Sequence, residues 1–526
     1  MTDFDVVVIG AGHNGLTAAG ELARGGARVL VLERAHFIGG MAATRELFPG
    51  FKHSVGAWAL IAFRPELIDR LELPQFGFEL IDPWSSACTF GYEGSVPFVM
   101  YNNLERQATH VFDDHGEQTA TALAQLFMHI RKFGPYFSES AYGAAPNIHE
   151  VIADQPDAQS RRDFAQMWFG STMDIVRRFM TPEMAPCLQG SLATMSIDGC
   201  YAGPWTPGTG ASTLFHYLLN GLDTPKFMMP RGGIGALSAS LQRRAEHYGA
   251  EVNVKTEVRS LLVDGGKVTG VRLKNGSEIS ARAVVSTLDA NKTFLGLLGE
   301  EHLPGDFARK VREVRYNEGY IQAHLTLDGE PTWVDWLQPF ATDNGSTCPT
   351  MAFTPSAEYV SDAWDQYRRG KLPERPPAYL YLPSLVDPTL APRGKHTATI
   401  FAPYFPTDLT PDAHRSLKEQ YADNCIAVFE QHAPGFVDLI NDKVVLANRY
   451  FHSTFGATDG DYAQGLIDAG QMWSDRLPGE STYGTPLEGL FIGGSAAHPG
   501  PGVTCLPGLN SAKVVLRHLE ALVPTK

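Results

Sequence analysis

The clearest pattern of apolar and polar positions lies in the first 40 residues. Asp5–Ile9 is an apolar run of strand length, and Leu16, Ala19, Leu22 and Ala23 recur at helical spacing before Gly25-Gly26. Arg28–Leu32 is a second apolar run, ending at Glu33. Between the first strand and the helix stands Gly10-Ala11-Gly12-His13-Asn14-Gly15, a G-x-G-x-x-G loop. The order strand, glycine loop, helix, strand, acid defines a dinucleotide-binding unit. In such a unit Gly10 permits the tight turn, Gly12 lets a pyrophosphate approach the backbone, and Gly15 lets the helix pack on the strand. The helix N-terminus offers unpaired N–H groups to phosphates, and Glu33 accepts hydrogen bonds from the adenosine ribose. His13 and Asn14 read as turn and cap residues.

The same kind of pattern recurs twice. Arg231-Gly232-Gly233-Ile234-Gly235 precedes a helix over Ala236–Tyr248. Strand-like runs follow at Glu251–Val254, Val258–Val263, Lys267–Leu273 and Ala283–Ser286, with Gly265-Gly266 and Asn275-Gly276 as hairpin turns. Near the end, Gly489–Ile492 predicts a strand. Gly493-Gly494-Ser495 and a loop through His498-Pro499-Gly500-Pro501-Gly502-Val503-Thr504 follow, leading into a helix from about Pro507 to Leu522. A glycine pair, Gly39-Gly40, trails Glu33 and favours FAD over NAD. Residues 120–222 read largely helical, with Thr119–Phe133 and Asp163–Met180 as examples. Gly319–Leu327, Ala378–Leu382, Thr397–Pro403 and Lys443–Tyr450 read as strands, and Thr410–His432 as a helix with Thr410 as N-cap. The apolar face of Gln166–Met180 fits a core helix better than a membrane-facing one.

Composition narrows the function classes. With 526 residues, 44% of them hydrophobic, the chain is too long for one core and too apolar to be disordered. Its 43 Lys and Arg against 58 Asp and Glu give a net charge of -15, which argues against nucleic-acid binding. The 6 cysteines stand far apart with no CxxC, so neither a zinc cluster nor a disulfide framework is expected. The N-terminus lacks a basic signal region and no stretch reaches membrane-spanning length, so a cytoplasmic protein is expected, with or without membrane association. No HExxH or G-x-S-x-G motif is present, and no metal is expected.

Asp5–Glu33, Gly39-Gly40, Pro230–Leu237, and Tyr483-Gly484-Thr485-Pro486 through His498-Pro499-Gly500 to Asn510-Ser511-Ala512 resemble the phytoene desaturase-like flavoproteins of the amine-oxidase-like superfamily. Glu46–Phe51 adds similarity to the branch holding the carotene ketolases and the pyridine nucleotide-disulfide oxidoreductase domain-containing protein 2 group. Two positions depart from the pattern: Met41, where many relatives carry Arg, and Pro501, at the middle glycine of the last loop. The resemblance implies an α/β fold, a discontinuous Rossmann-type FAD-binding domain with an α+β substrate domain of mixed sheet and helical cap. Its FAD-binding parts would be 1–60, 228–295 and 484–526, with 61–227 and 296–483 as the cap and substrate domain. It implies FAD as cofactor, held by Gly10, Ala11, Gly12, Asn14, Gly15, Glu33, Arg34, Gly39, Gly40, Met41, Val258, Gly494, Ser495, Gly502 and Val503.

The implied activity is oxidation of a C–C bond in a hydrophobic, isoprenoid-like or conjugated small molecule, with peripheral membrane contact as a route of access. Redox-neutral isomerisation, amine oxidation and an FAD-stabilised scaffold remain alternatives. His498 is the candidate proton acceptor, with Thr504 beside it; His53 lies near the first flavin loop, and Cys505 as a covalent flavin tether lacks a supporting motif. An enzyme of this kind requires an apolar tunnel, expected between residues 120–222 and the strands of 315–405 with His498 at its flavin end.

Overall fold

The computed structural model describes residues 2–221, 227–316, 319–343, 345–476 and 483–522. Small parts of the segments expected from sequence, among them Leu222 and 523–526, fall outside these ranges. Two large sheets organise the chain, and the first is assembled from distant pieces. Its order is Val258–Asp264, Lys267–Leu273, Glu278–Ser286, Phe4–Ile9, Val29–Leu32 and Glu251–Asn253, with Leu490–Ile492 added beside Glu278–Ser286. Phe4–Ile9 lies parallel to Val29–Leu32 on one side and to Ala281–Ser286 on the other. The strand Glu278–Ser286 does two jobs. Its first half closes an antiparallel meander, and its second half runs parallel to both Phe4–Ile9 and Leu490–Ile492.

Val6, Val7 and Val8 are fully buried, as the central strand of a sheet covered on both faces requires. On one face the helix His13–Arg24 packs between Gly235–His247 and Leu506–Ala521. Glycine makes that packing close: a Cβ on Gly508 would lie 2.0 Å from the Asn14 carbonyl oxygen. The result is the discontinuous α/β fold that the three glycine loops predict.

The second sheet runs Ile440–Ala447, Tyr320–Leu327, His396–Pro403, Ala378–Tyr381, Thr350–Phe353, Ser85–Phe90 and Phe98–Tyr101. It is antiparallel except where Thr350–Phe353 runs parallel to Ser85–Phe90. A helix, Pro411–His432, packs against it, and Thr410 caps that helix by accepting the Ala413 N–H. Helices between Leu104 and Leu218 form the cap.

Two of the expected segments differ in kind from the sequence reading. The helix expected over Asp163–Met180 is two helices, Ala158–Phe169 and Thr172–Arg177. Gly170 sits so close to the preceding turn that a Cβ would be 2.3 Å from the Gln166 carbonyl oxygen, and Ser171 caps the second helix by accepting the Asp174 N–H. The strand expected to reach Tyr450 ends at Ala447 and a helix covers Asn448–Phe455. Phe451 and Phe455, four apart, stack there at helical spacing.

Candidate active site

One large cleft lies where the two sheets meet the cap. It holds about 1850 Å³ of atom-free space, its open mouth included.

One end of it is built from backbone. The first two glycine loops are stitched together: the Gly39 N–H donates to the Ala11 carbonyl at 2.8 Å, and Gly12 bridges Gly39 in parallel. Gly10 has φ +101°, a conformation that favours glycine, and a Cβ there would lie 2.5 Å from Thr287 Oγ1. Gly15 serves packing, because its Cβ would fall 2.0 Å from the Gly10 carbonyl oxygen. Gly12 differs: the nearest atom to its Cβ would be 3.9 Å away, so the space it leaves is cleft. Gly12 also heads the helix His13–Arg24 without a side-chain cap, which keeps the first-turn N–H groups available to an anion. The Glu33 carboxylate is fixed by the N–H groups of Ala11 and Ala35, at 2.9 and 2.8 Å, and lines the cleft.

The third loop closes this end. Ser495, Pro501, Gly502 and Val503 line the cleft. Val503 has φ +56°, a strained conformation for a β-branched residue and costly by about 1–3 kcal/mol. Arg476 holds this loop from behind. Its buried guanidinium donates to the carbonyls of Ser495, Gly465, Leu466, Gln471 and Ala463. Asp289, also on the cleft, accepts from the N–H groups of Lys292 and Thr458, and burial pushes its carboxyl up.

The residues at this end fit a large polar cofactor. Both ring nitrogens of His13 and Oδ1 of Asn14 are buried without a protein partner, and both residues line the cleft. Buried polar atoms are normally satisfied, so these orphans mark where a ligand's polar groups belong. Burial lowers the His13 imidazole to about 4, leaving it neutral.

Of the binding residues read from sequence, Gly10, Gly12, Asn14, Glu33, Gly39, Gly40, Met41, Ser495, Gly502 and Val503 line the cleft. The others are set back. Ala11 and Gly15 shape the loop, and Gly494 packs so that a Cβ would meet the Thr287 carbonyl oxygen at 2.3 Å. Arg34 turns away to donate to the Ser453 carbonyl at 2.6 Å, and Val258 is paired with Leu273 in the meander.

The proton-acceptor reading needs correction. His498 is buried behind the loop, where its Nε2–H donates to the Ser140 carbonyl at 3.0 Å, and it does not line the cleft. Burial lowers its imidazole to about 4. The loop turns Pro501 to Val503 toward the cleft and sends His498 toward the cap. Thr504 precedes the last helix and accepts the Leu506 N–H there. His53 packs edge-on against His324, away from the cleft, and is likewise lowered to about 4 by burial. Cys505 is buried, which pushes its thiol up to about 12 and makes it a poor nucleophile.

The inner end is built from side chains that sequence reading did not single out. Trp58 stacks on Tyr381 with ring centroids 3.7 Å apart and meets Phe227 edge-on at 5.0 Å. Tyr379, Phe401, Tyr320 and Phe215 complete an aromatic chamber. Its walls come from the cap helices and from the strands of 315–405, as expected for the tunnel. Gln322 braces the chamber by bonding both the N–H and the carbonyl of Gly56. Asp198, His216 and Tyr462 bring a carboxyl, an imidazole and a phenol into this wall. The period-two spacing of Tyr379 and Tyr381 in Ala378–Leu382 was a legible sign that both face one side; nothing local flagged Asp198 or His216.

A family model for flavin containing amine oxidoreductase matches residues 15–504. The chain belongs to that family. FAD is therefore its cofactor, and the glycine-lined end of the cleft is the part that fits it. Within this flavoprotein family the chain is similar to pyridine nucleotide-disulfide oxidoreductase domain-containing protein 2 of Rattus norvegicus, 29% identical over 98% of this chain and 94% of that one. It is also similar to a limonene dehydrogenase chain of Castellaniella defragrans, at 25% identity over 98% of this chain and 95% of that one. The chloroplastic prolycopene isomerase of Daucus carota is 25% identical over 95% of this chain and 78% of its own length. Membership makes the protein a flavin oxidoreductase. Among the described residues no helix is long and apolar enough to cross a membrane, and no group of three or more His, Cys, Asp or Glu side chains could hold a metal ion.

Proposed function

We propose that this flavoprotein dehydrogenates a C–C bond of a hydrophobic, isoprenoid-like or conjugated substrate. The observation that carries the reading is the aromatic inner chamber, which opens directly onto the glycine-lined end of the same cleft. Flat, apolar walls such as Trp58, Tyr381 and Phe401 bury an extended hydrocarbon and exclude water. The relatives named for limonene and prolycopene support a hydrocarbon occupant. Bound FAD supplies the hydride acceptor for such a reaction.

The chain's own residues would then divide the work. The first-turn N–H groups after Gly12 would hold the pyrophosphate, and Glu33 the adenosine ribose. The N-terminus of Leu506–Ala521 would favour negative charge on the reduced cofactor, with Val503 and Gly502 fixing the loop before it.

Anaerobic mixing of the FAD-loaded protein with limonene, phytoene or prolycopene in detergent micelles tests the reading. Bleaching of the oxidised flavin with formation of a dehydrogenated product is expected. Turnover only with pre-reduced flavin and no acceptor would favour isomerisation, and reduction by amines alone, with hydrogen peroxide release in air, would favour amine oxidation. No reduction by any of these compounds would leave the scaffold.

A further inference from the structure

Removing two hydrogens from a C–C bond takes a hydride from one carbon and a proton from its neighbour. The family's FAD is the oxidant for the first; the second needs a base at the substrate, and His498 does not reach the cleft.

The chamber wall holds one group of ionisable side chains suited to this. Asp198 follows the last residue of the helix Pro186–Ile197, and His216 lies in the helix Thr209–Leu218. His216 Nδ1 is 2.9 Å from the Ser212 carbonyl oxygen. A carbonyl only accepts, so Nδ1 carries a hydrogen. His216 Nε2 faces Asp198 Oδ2 at 3.4 Å, and the Tyr462 phenol donates to Asp198 Oδ1. The Asp198 carboxyl is thus held from two sides, by the phenol on Oδ1 and the imidazole facing Oδ2.

A carboxylate at a helix C-terminus opposes the helix dipole, so local helix stability does not account for it. Asp198 is half-buried, with 34% of its side chain exposed, so a molecule in the chamber can reach it, whereas His216 is buried. The other titratable groups facing the pair are phenols, Tyr379 and Tyr381 on the strand Ala378–Tyr381 and Tyr462 itself. Burial, reinforced by the charge of Asp198, pushes the Tyr379 and Tyr381 phenols up, so both stay neutral.

We propose that Asp198 is the proton acceptor of the dehydrogenation, with His216 and Tyr462 as positioning residues that hold its carboxylate in the aromatic chamber. The inference rests on the C–C dehydrogenation reading. In the step, the C–H bond on the carbon next to the hydride-losing carbon breaks. Its electron pair becomes the new C=C bond and its proton goes to Asp198, while the hydride and its electron pair go to FAD as oxidant.

The test uses FAD-loaded wild type, D198N, H216Q and Y462F with the same three micellar hydrocarbons. D198N should keep its flavin absorbance and lose about 10²–10⁴-fold in the rate of flavin reduction, the usual contribution of a positioned base. H216Q should lower the maximal rate of flavin reduction with little change in the substrate concentration that half-saturates it, because the carboxylate has lost a positioning partner. A purely structural histidine would leave that maximal rate in place. A readout independent of turnover is the ¹⁵N spectrum of labelled histidine, in which the His216 signal, identified by its loss in H216Q, should shift in D198N because Nε2 faces Asp198 Oδ2 at 3.4 Å. Wild-type reduction rates in D198N, or an unmoved His216 signal in it, would overturn the proposal. Failure of all three hydrocarbons to bleach wild type would remove the dehydrogenase reading and this role of Asp198 together. Bleaching of wild type and D198N alike would remove only the role of Asp198.

Discussion

The two ends of the cleft are made of different materials. At the glycine end the wall is backbone: Gly10, Gly12, Gly39, Gly40 and Gly502 contribute N–H groups, carbonyls and missing side chains. At the inner end the wall is side chain: Trp58, Phe215, Tyr381 and Tyr462 come from separate elements brought together by the fold. A backbone wall suits a ligand that never changes, because its shape depends on a few dihedral angles. A side-chain wall can be re-cut for another substrate one residue at a time. On the proposed reading, the glycine end fixes the cofactor and the chamber selects the reaction.

The sharpest way to break that division is within the first glycine loop. G15V should abolish folding, since its Cβ would collide with backbone 2.0 Å away, and the expected result is loss of soluble protein and of native far-UV circular dichroism. G12V should fold with a melting temperature close to that of wild-type apoprotein, because no protein atom comes nearer than 3.9 Å to that Cβ. Its retained flavin should nonetheless fall tenfold or more, a binding loss of at least about 1.4 kcal/mol. Equal behaviour of the two variants would erase the distinction between packing glycines and cleft glycines.

At the other end, W58A removes the ring stacked on Tyr381 and edge-on to Phe227. Flavin content should stay near wild type while substrate-dependent flavin reduction weakens by about tenfold, as for the loss of one large apolar contact in a binding site. Co-purification without flavin would show that the two ends are not separable.

Acid should weaken the fold that carries both ends. His13, His53 and His498 are each lowered from 6.5 to about 4 by burial, so the folded state holds them neutral while the unfolded chain protonates them first. This stability is present above pH 6.5 and is lost as pH falls toward about 4. Each histidine contributes on the order of 3 kcal/mol to that loss. Thermal melts from pH 7 to 4 should show the decline, and H53F should make it shallower. The smallest effect belongs to R34A. Arg34 is exposed and bonds away from the cleft, so flavin retention should change less than about twofold and stability by less than about 0.5 kcal/mol.

The same contrast governs what the sequence made legible. The glycine end is written in short spacings, because a tight turn, a helix start and a ribose-binding acid must follow one another within a few tens of residues. The strands of the first sheet and most of the cleft-lining glycines could thus be read directly. Arg34 and Val258 lie back from the cleft wall, because adjacency in sequence does not set where a side chain turns. The chamber depends on pairings such as Ala352 with Tyr379 and with Thr89, whose sequence separation carries no local signature. Asp198 and His216 each look ordinary alone; only the approach of one helix end to another helix makes them a pair. His498 sat in the right loop, but the path of that loop, held by Arg476, decides which of its residues the cleft receives.

The pairing of Phe4–Ile9 with Ala281–Ser286, and of Val284–Ser286 with Leu490–Ile492, sets an order of events during synthesis. The first strand leaves the ribosome long before its neighbours exist. At about 5–20 residues per second, the last strand of the sheet follows roughly 25–100 s later. Through that interval the dinucleotide loop can form, while the Ser495 to Val503 loop that closes over it cannot. A nascent chain is thus committed to FAD only once nearly all of it has been made, and a ribosome stalled ahead of Leu490 would hold a substrate half with no means of oxidising anything.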